Sequence, residues 1–419
     1  MMEQILSRDN LTAALKRVEA NKGSHGVDGM SVQTLREHLK QHWRTIREQM
    51  EQGTYEPSPV RRVEIPKPNG GTRLLGIPTV TDRFIQQAIA QVLSEVFEPL
   101  FSEHSYGFRP NRRGHDAVKQ AKAYIQEGYR YVVDMDLEKF FDQVNHDRLM
   151  MKLAEQVNDK QVLSLIRKYL RAGVMEGGLV KPSDEGTPQG GPLSPLLSNI
   201  VLNELDHELE RRGHRFVRYA DDCNMYVKTH KAGQRVMASV TRFIEEKLKL
   251  KVNQEKSAVD RPWKRKFLGF SFTVDKSPKV RVSKQALDKM KTRIRQLTSR
   301  KSPMKMEQRI QELNRYLVGW GSYFSLADTP SVFEGLDGWI RRRLRMCIWK
   351  QWKNPRTKVK RLQSLGVPRD KAFEWGNSRK GYWRIAGSPI LSRVLNNKYW
   401  KECGLQSLLE RYKHMRYNS

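Results

Sequence analysis

Residues 216–228 read FVRYADDCNMYVK. Apolar residues alternate up to a tight acidic pair, Asp221 and Asp222, and resume at Met225 and Val227, the pattern of a strand, a short turn and a returning strand. Adjacent carboxylates at a hairpin tip repel each other unless a hard cation or a basic partner neutralises them, and oxygen ligands of this kind suit Mg²⁺. Aspartate is also an ordinary turn former, so the pair alone leaves a plain acidic turn open. A third carboxylate elsewhere has to decide between the two.

Residues 130–147, RYVVDMDLEKFFDQVNHD, supply a candidate. They begin as a buried strand whose alternation puts Asp134 and Asp136 on one face. An acid at the end of an apolar strand costs several kcal/mol unless it is ionised against a metal or a base. Upstream, VRRVEIPKPNGGTRLLGIP gives two short β-like runs around Asn69, Gly70 and Gly71, a strong hairpin signal. Lys67 and Arg73 stand on its opposite arms, spaced to grip one anionic group such as a triphosphate, or simply solvated. Between the acids, EGTPQGGPLSPLLSNI packs three glycines and three prolines into a loop that leads into a helix, and glycine there lets backbone approach a ligand.

The 419 residues suffice for two to four domains, and a formal charge of +31 points to a polyanionic partner, usually nucleic acid. The charge is uneven: residues 281–419 hold 32 Lys and Arg against 10 Asp and Glu, leaving 45 against 36 for residues 1–280. Seven of nine tryptophans share the basic third, a mixture suited to phosphate contact with stacking or to a helical core with a solvated basic face. The chain has no apolar run of about 18 residues, which excludes a transmembrane helix. Three dispersed cysteines make neither a zinc cluster nor a disulfide framework and imply a reducing compartment. The start, MMEQILSRDN, lacks signal or transit character and reads as mature structure.

Helical stripes run through Leu11, Ala14, Leu15 and Val18, then through Val32, Leu35, Leu39, Trp43, Ile46 and Met50, with NKGSHGVDGM between them read as a mobile loop or, more simply, a plain interhelix connection. Residues 82–100 predict an amphipathic helix, and residues 243–250 another. Beyond residue 280, Ile310, Leu313, Leu317, Trp320 and Phe324 form one stripe, and Phe333, Leu336, Ile340, Leu344 and Cys347 a second, with Arg341, Arg342 and Arg345 off that line as a basic face. Strands, hairpins and helices alternate irregularly, which argues for an α+β fold rather than a doubly wound sheet.

Taken together, YADD at 219–222, GTPQGGPLSPLLSNI, VDMDLEKFFDQVNHD, IPKPNGGTR, SYGFRPNR and KFLGF stand in an order that resembles the reverse transcriptase family across essentially the whole chain. The N-terminal extension, helical segment and basic tail resemble bacterial group II intron-encoded proteins, nearest the compact IIC type. The resemblance implies a right-hand polymerase with an N-terminal extension (1–59), fingers and palm (60–275), a helical thumb or maturase domain (276–355) and a basic DNA-binding region (356–419). Longer relatives carry an endonuclease with Cys and His clusters; none is present here, so nicking of target DNA by this chain is not expected.

In the family the metal-binding Asp precedes an aromatic by five positions. Asp136 with Phe141 fits and Asp134 with Lys139 does not, so the implied triad is Asp136, Asp221 and Asp222, holding two Mg²⁺ ions. Position by position, the resemblance implies that Lys67 and Arg73 hold the triphosphate of a dNTP, Gln189 lines the nucleotide pocket and Phe141 excludes a ribose 2′-hydroxyl. Lys256 would protonate pyrophosphate, Leu268 and Gly269 would form the primer grip, and NKGSHGVDG would lie over the template. The implied activity is extension of a DNA or RNA primer on an RNA template, with binding of a group II intron RNA, a role in its splicing, and target DNA as a further partner. The expected location is the bacterial cytoplasm, at the nucleoid, with no membrane partner. An intron-independent reverse transcriptase in DNA repair and a non-catalytic RNA-binding splicing cofactor are the alternatives.

Overall fold

The computed structural model describes residues 1–66, 72–176, 179–181, 186 and 190–417. They form two compact units, Met1–Arg261 and Pro262–Ser419. The α+β class read from the sequence is the class observed.

The first unit is built on two four-stranded sheets, one antiparallel and one mixed. The described residues of the first unit form β1 (Val60–Pro66), β2 (Thr72–Ile77), β3 (Tyr131–Met135), β4 (Val174–Glu176), β5 (Leu179–Lys181), β6 (Arg215–Tyr219), β7 (Asp222–Val227) and β8 (Ala258–Asp260), and those of the second form β9 (Phe270–Phe272) and β10 (Val280–Val282). The antiparallel sheet has the order β6-β7-β3-β8, and the mixed one β2-β1-β4-β5. In the first sheet β7 is central, and every residue after Asp222 is buried, which suits its apolar run. The helices Gly114–Gln126, Ser194–Arg211 and His230–Phe243 pack on this sheet. β1 and β2 pair from Arg61↔Ile77 to Pro66↔Thr72, as the hairpin signal predicts. β1 also takes β4 in parallel, a pairing with no local signature.

The helix Val80–Phe97 starts where the Thr79 hydroxyl accepts the Asp82 N–H and is buried along almost its whole length. Arginines of this helix and of β1 reach the loop at 22–30. The Arg83 guanidinium donates to the Ser24 carbonyl at 2.6 Å and Arg61 to that of His25 at 3.1 Å. The helix placed at 243–250 begins earlier, at His230, where Thr229 caps it, and closes with a π turn at Ile244–Leu248.

The second unit opens with the β9–β10 hairpin and continues as helices. Both predicted stripes are buried, from Ile310 to Phe324 and from Phe333 to Cys347. The basic face is smaller than the sequence suggests. Arg345 donates to the carbonyls of Ala386 and Leu395, Arg342 to that of Trp383, Arg343 to Thr298, and the buried Arg309 to Leu297. These carbonyls lie at or near helix C-termini, where unpaired acceptors and the negative dipole end favour a cation.

Candidate active site

The hairpin of β6 and β7 closes on the pair Tyr219↔Asp222, so Ala220 and Asp221 are its two central residues. Ala220 has φ +57°, a left-handed conformation that two-residue hairpins require and that a side chain resists. Several contacts hold it there. Arg218, fully buried, donates to the Ala220 carbonyl at 2.9 Å, to Asn199 Oδ1 at 3.0 Å and to Ser105 Oγ at 2.8 Å. Its guanidinium also grips Asp206 through two bonds of 2.7 and 2.5 Å, and neither side chain of this pair reaches solvent. Asn199 in turn donates to the Gly107 carbonyl at 2.8 Å. A Cβ on Gly107 would lie 2.3 Å from the Ala220 nitrogen, so only glycine permits this approach.

The same sheet brings the third acid alongside. β3 pairs with β7 up to Met135↔Cys223, and Asp136 is the next residue, in line with Asp222. Asp134 instead lies inside the sheet, opposite Asn224 on one side and Ala258 on the other. Asp136 is fixed through its backbone: its N–H donates to Ser257 Oγ at 3.0 Å and its carbonyl accepts the Asn253 N–H at 2.8 Å. The same segment carries Lys256, whose Nζ lies 3.4 Å from Asp136 Oδ2. Backbone register therefore places the three acids near one another and an ammonium beside one of them. Among the described residues no three His, Cys, Asp or Glu side chains are already gathered as a metal-holding group. The donors are nevertheless all carboxylate oxygens, the set a hard divalent cation takes, and Lys256 shows that Asp136 accepts a cation.

Phe141 sits in the short 3₁₀ turn Phe140–Asp142, half-buried and edge-on to Phe140 at 5.3 Å. The glycine-rich loop reaches it at Gly186, whose φ is +90° and whose Cβ, if present, would lie 2.8 Å from the Phe141 carbonyl oxygen. The Gly186 N–H donates to Val144 and its carbonyl contacts His146 Nε2 at 2.6 Å. At Gly190 a Cβ would come within 2.7 Å of the Gly76 carbonyl oxygen on β2. These glycines thus admit close approach to the protein's own backbone. Arg73 lies on β2 opposite Ile65; Lys67 and Gln189 lie outside the described residues.

Leu268 and Gly269 belong to the second unit and are the two central residues of a tight turn. Phe267 and Phe270 exchange both backbone hydrogen bonds at 2.9 Å, and both central residues have positive φ, +51° and +82°. The Tyr323 hydroxyl donates to the Leu268 carbonyl at 2.8 Å.

Sequence reasoning passed over Arg218, Asp206, Asn199, Ser105 and Gly107. A signal was there: Arg218 is a cation inside an apolar strand, which demands a buried counter-ion. Asn199 and Asp206, two helical turns apart, share one face of the helix that follows the glycine-rich loop.

Residues 65–272 match the reverse transcriptase (RNA-dependent DNA polymerase) family, and residues 287–366 the group II intron, maturase-specific domain. Protein YkfC of Escherichia coli (strain K12) is 33% identical over 299 residues, covering 62% of this chain and 78% of that protein. Group II intron-encoded protein LtrA of Lactococcus lactis subsp. cremoris is 30% identical over 345 residues, 67% of this chain; the chain spans 57% of that relative's length. Among solved structures, a telomerase from Candida albicans aligns with TM-score 0.45 at 12% identity, over 82% of this chain and 69% of that one.

Proposed function

Since the chain belongs to the reverse transcriptase (RNA-dependent DNA polymerase) family and carries a group II intron maturase-specific domain, we propose that it extends a DNA or RNA primer on an RNA template and assists splicing and mobility of a group II intron. The observation that carries this reading is the register that puts Asp136 in line with Asp222, beside the turn bearing Asp221. Those three carboxylates would hold two Mg²⁺ ions. When bound, the ions lower the pKa of the primer 3′-hydroxyl and stabilise the leaving pyrophosphate.

The protein's own groups do the rest. Lys67 and Arg73 hold the triphosphate of the incoming dNTP, and Phe141 with Gln189 shapes the pocket around its sugar. The 3′-hydroxyl gives its proton to solvent water as its oxygen bonds to the α-phosphorus and the bond to pyrophosphate breaks, and the Lys256 ammonium, beside Asp136, gives a proton to that leaving group and is reprotonated from solvent. Leu268 and Gly269 grip the primer. We assign residues 1–59 to the N-terminal extension, 60–275 to fingers and palm, 276–355 to thumb and 356–419 to DNA binding, with intron RNA and target DNA as partners. We place the protein in the bacterial cytoplasm at the nucleoid; separately, no described helix is long and apolar enough to cross a membrane.

Asp221→Ala with Asp222→Ala tests the reading. Primer extension on RNA with Mg²⁺ is expected to be abolished while RNA binding is nearly unchanged. Retained extension would refute the assignment of the acids.

A further inference from the structure

Phe108 is an anomaly that neither packing nor the roles above absorb. It is 56% exposed, and its φ is +58°. Among the described residues it is the one aromatic with positive φ. A bulky side chain in that region is strained, and such strain persists where the surroundings over-determine it.

The surroundings do so from both sides. On one, Tyr106 is buried, and its N–H donates to the Arg218 carbonyl at 2.9 Å, while Gly107 presses on Ala220. On the other, Arg109 is buried and grips Glu98 and the carbonyls of Ser102 and Ser105. The chain therefore fixes a turn back to back with the acidic hairpin and lifts a phenyl ring from it into solvent. That ring lies 6.3 Å from the ring of Tyr219, tilted by 44°. Tyr219 adjoins the acidic turn in the chain, and its partner across the hairpin is Asp222.

We infer that Phe108, with Tyr219 beside it, is an aromatic platform that takes a base at the primer end of the primer–template duplex. The inference rests on the polymerase reading above. An exposed aromatic face stacks on any base irrespective of sequence, which is what a polymerase requires at a site that every newly added nucleotide must pass. The chain's charge of +31 holds the nucleic-acid backbone, and the ring fixes the end of the duplex relative to Asp221 and Asp222. A protein partner on the same ring is the competing occupant.

The test is equilibrium binding of a primer–template duplex carrying 2-aminopurine at the primer 3′ end, without dNTP, to the full chain and to Phe108→Ala, Phe108→Trp and Phe108→Gly. Phe108→Ala is expected to bind about tenfold more weakly, the size of one lost stacking contact, and to lose the 2-aminopurine quenching seen with the parent. Phe108→Trp keeps both. Phe108→Gly relieves the backbone strain, so it melts no lower than the parent yet loses affinity as Phe108→Ala does; this separates stacking from folding. Parental affinity and quenching in Phe108→Ala overturn the inference, and self-association lost with duplex binding intact assigns the ring to a protein instead. A parent that binds and quenches but does not extend primers leaves the platform standing and removes the polymerase reading.

Discussion

Arg218→Met removes the guanidinium at the centre of the network that holds the acidic turn. The Met side chain keeps the apolar stem but leaves Asp206 with no exposure and no cation. Breaking a buried pair from one side costs about 3–5 kcal/mol. For a unit of this size each kcal/mol lowers Tm by about 2–4 °C, so the melting point should fall by about 6–20 °C. The Ala220 carbonyl, Asn199 and Ser105 lose a donor as well, so the left-handed turn loses its brace. Arg218→Met with Asp206→Leu separates the two consequences. Apolar residues of similar volume commonly replace a buried ion pair with little loss of stability, so thermal unfolding should recover most of the parental Tm. Primer extension, measured well below that Tm, should stay depressed, since a shift of about 1 Å in a reacting group can cost about 10²-fold in rate. A double variant that regains both Tm and extension would refute the claim that Arg218 positions the acids, and a loss below about 1 kcal/mol in Arg218→Met would refute the energetics.

Two further outcomes follow from groups near the sheet. Lys256→Met withdraws the ammonium beside Asp136; because Lys256 is 64% exposed, the effect is at most about 1 kcal/mol. Mg²⁺ binding, followed by calorimetry, should tighten by up to about fivefold while extension slows, and weakened Mg²⁺ binding would contradict competition for Asp136. Burial holds the Asp82 carboxyl above its ordinary value of 3.8, against four donors, the Thr79, Tyr55 and Tyr169 hydroxyls and the Ser58 N–H. Below 3.8 both folded and unfolded carboxyls are protonated and the contribution to stability is full. As pH rises from there through the folded-state value, the unfolded chain releases its proton first and stability declines. Melts across that range should show the decline in the parent and not in Asp82→Asn; equal slopes would mean that Asp82 is not its source.

What could be read from the sequence divides along a physical line. Patterns with a short period were legible: the strand alternation around Asp221 and Asp222, the NGG hairpin, and the stripes at 310–324 and 333–347, because one buried face repeats every two or every three to four residues. Alternation alone leaves Asp134 and Asp136 equivalent; the choice of Asp136, with Phe141, comes from the family resemblance, and the register places Asp136 next in line to Asp222 while Asp134 faces Asn224 inside the sheet. Contacts between distant segments left little trace. Nothing near residues 22–30 announces that Arg61 and Arg83 will tie them down, and nothing in SYGFRP says that Gly107 will meet Ala220. Glycine in a loop reports only that something comes close; at Gly186 and Gly190 it is the chain's own backbone.

Charge was the property most easily misread, because a count of cations does not say which way they face. Residues 281–419 carry their excess of Lys and Arg in two populations. Lys284, Lys289, Arg293 and Lys301 are exposed, while Arg309, Arg342, Arg343 and Arg345 close the carbonyl ends of helices. Burial and the neighbouring Arg341 and Arg342 pull Arg345 down to about 10, the mark of a guanidinium held away from water among its own kind. The short helices Tyr382–Ala386 and Pro389–Val394 have too few turns to stand alone, and Arg342 and Arg345 fasten them to the long helix Pro330–Gln351. Removing an arginine of the second kind therefore loosens the fold on which the first kind is displayed. Loss of RNA binding reports a phosphate contact only where the side chain faces solvent, as Arg293 and Lys301 do, and reports a helix end where it does not.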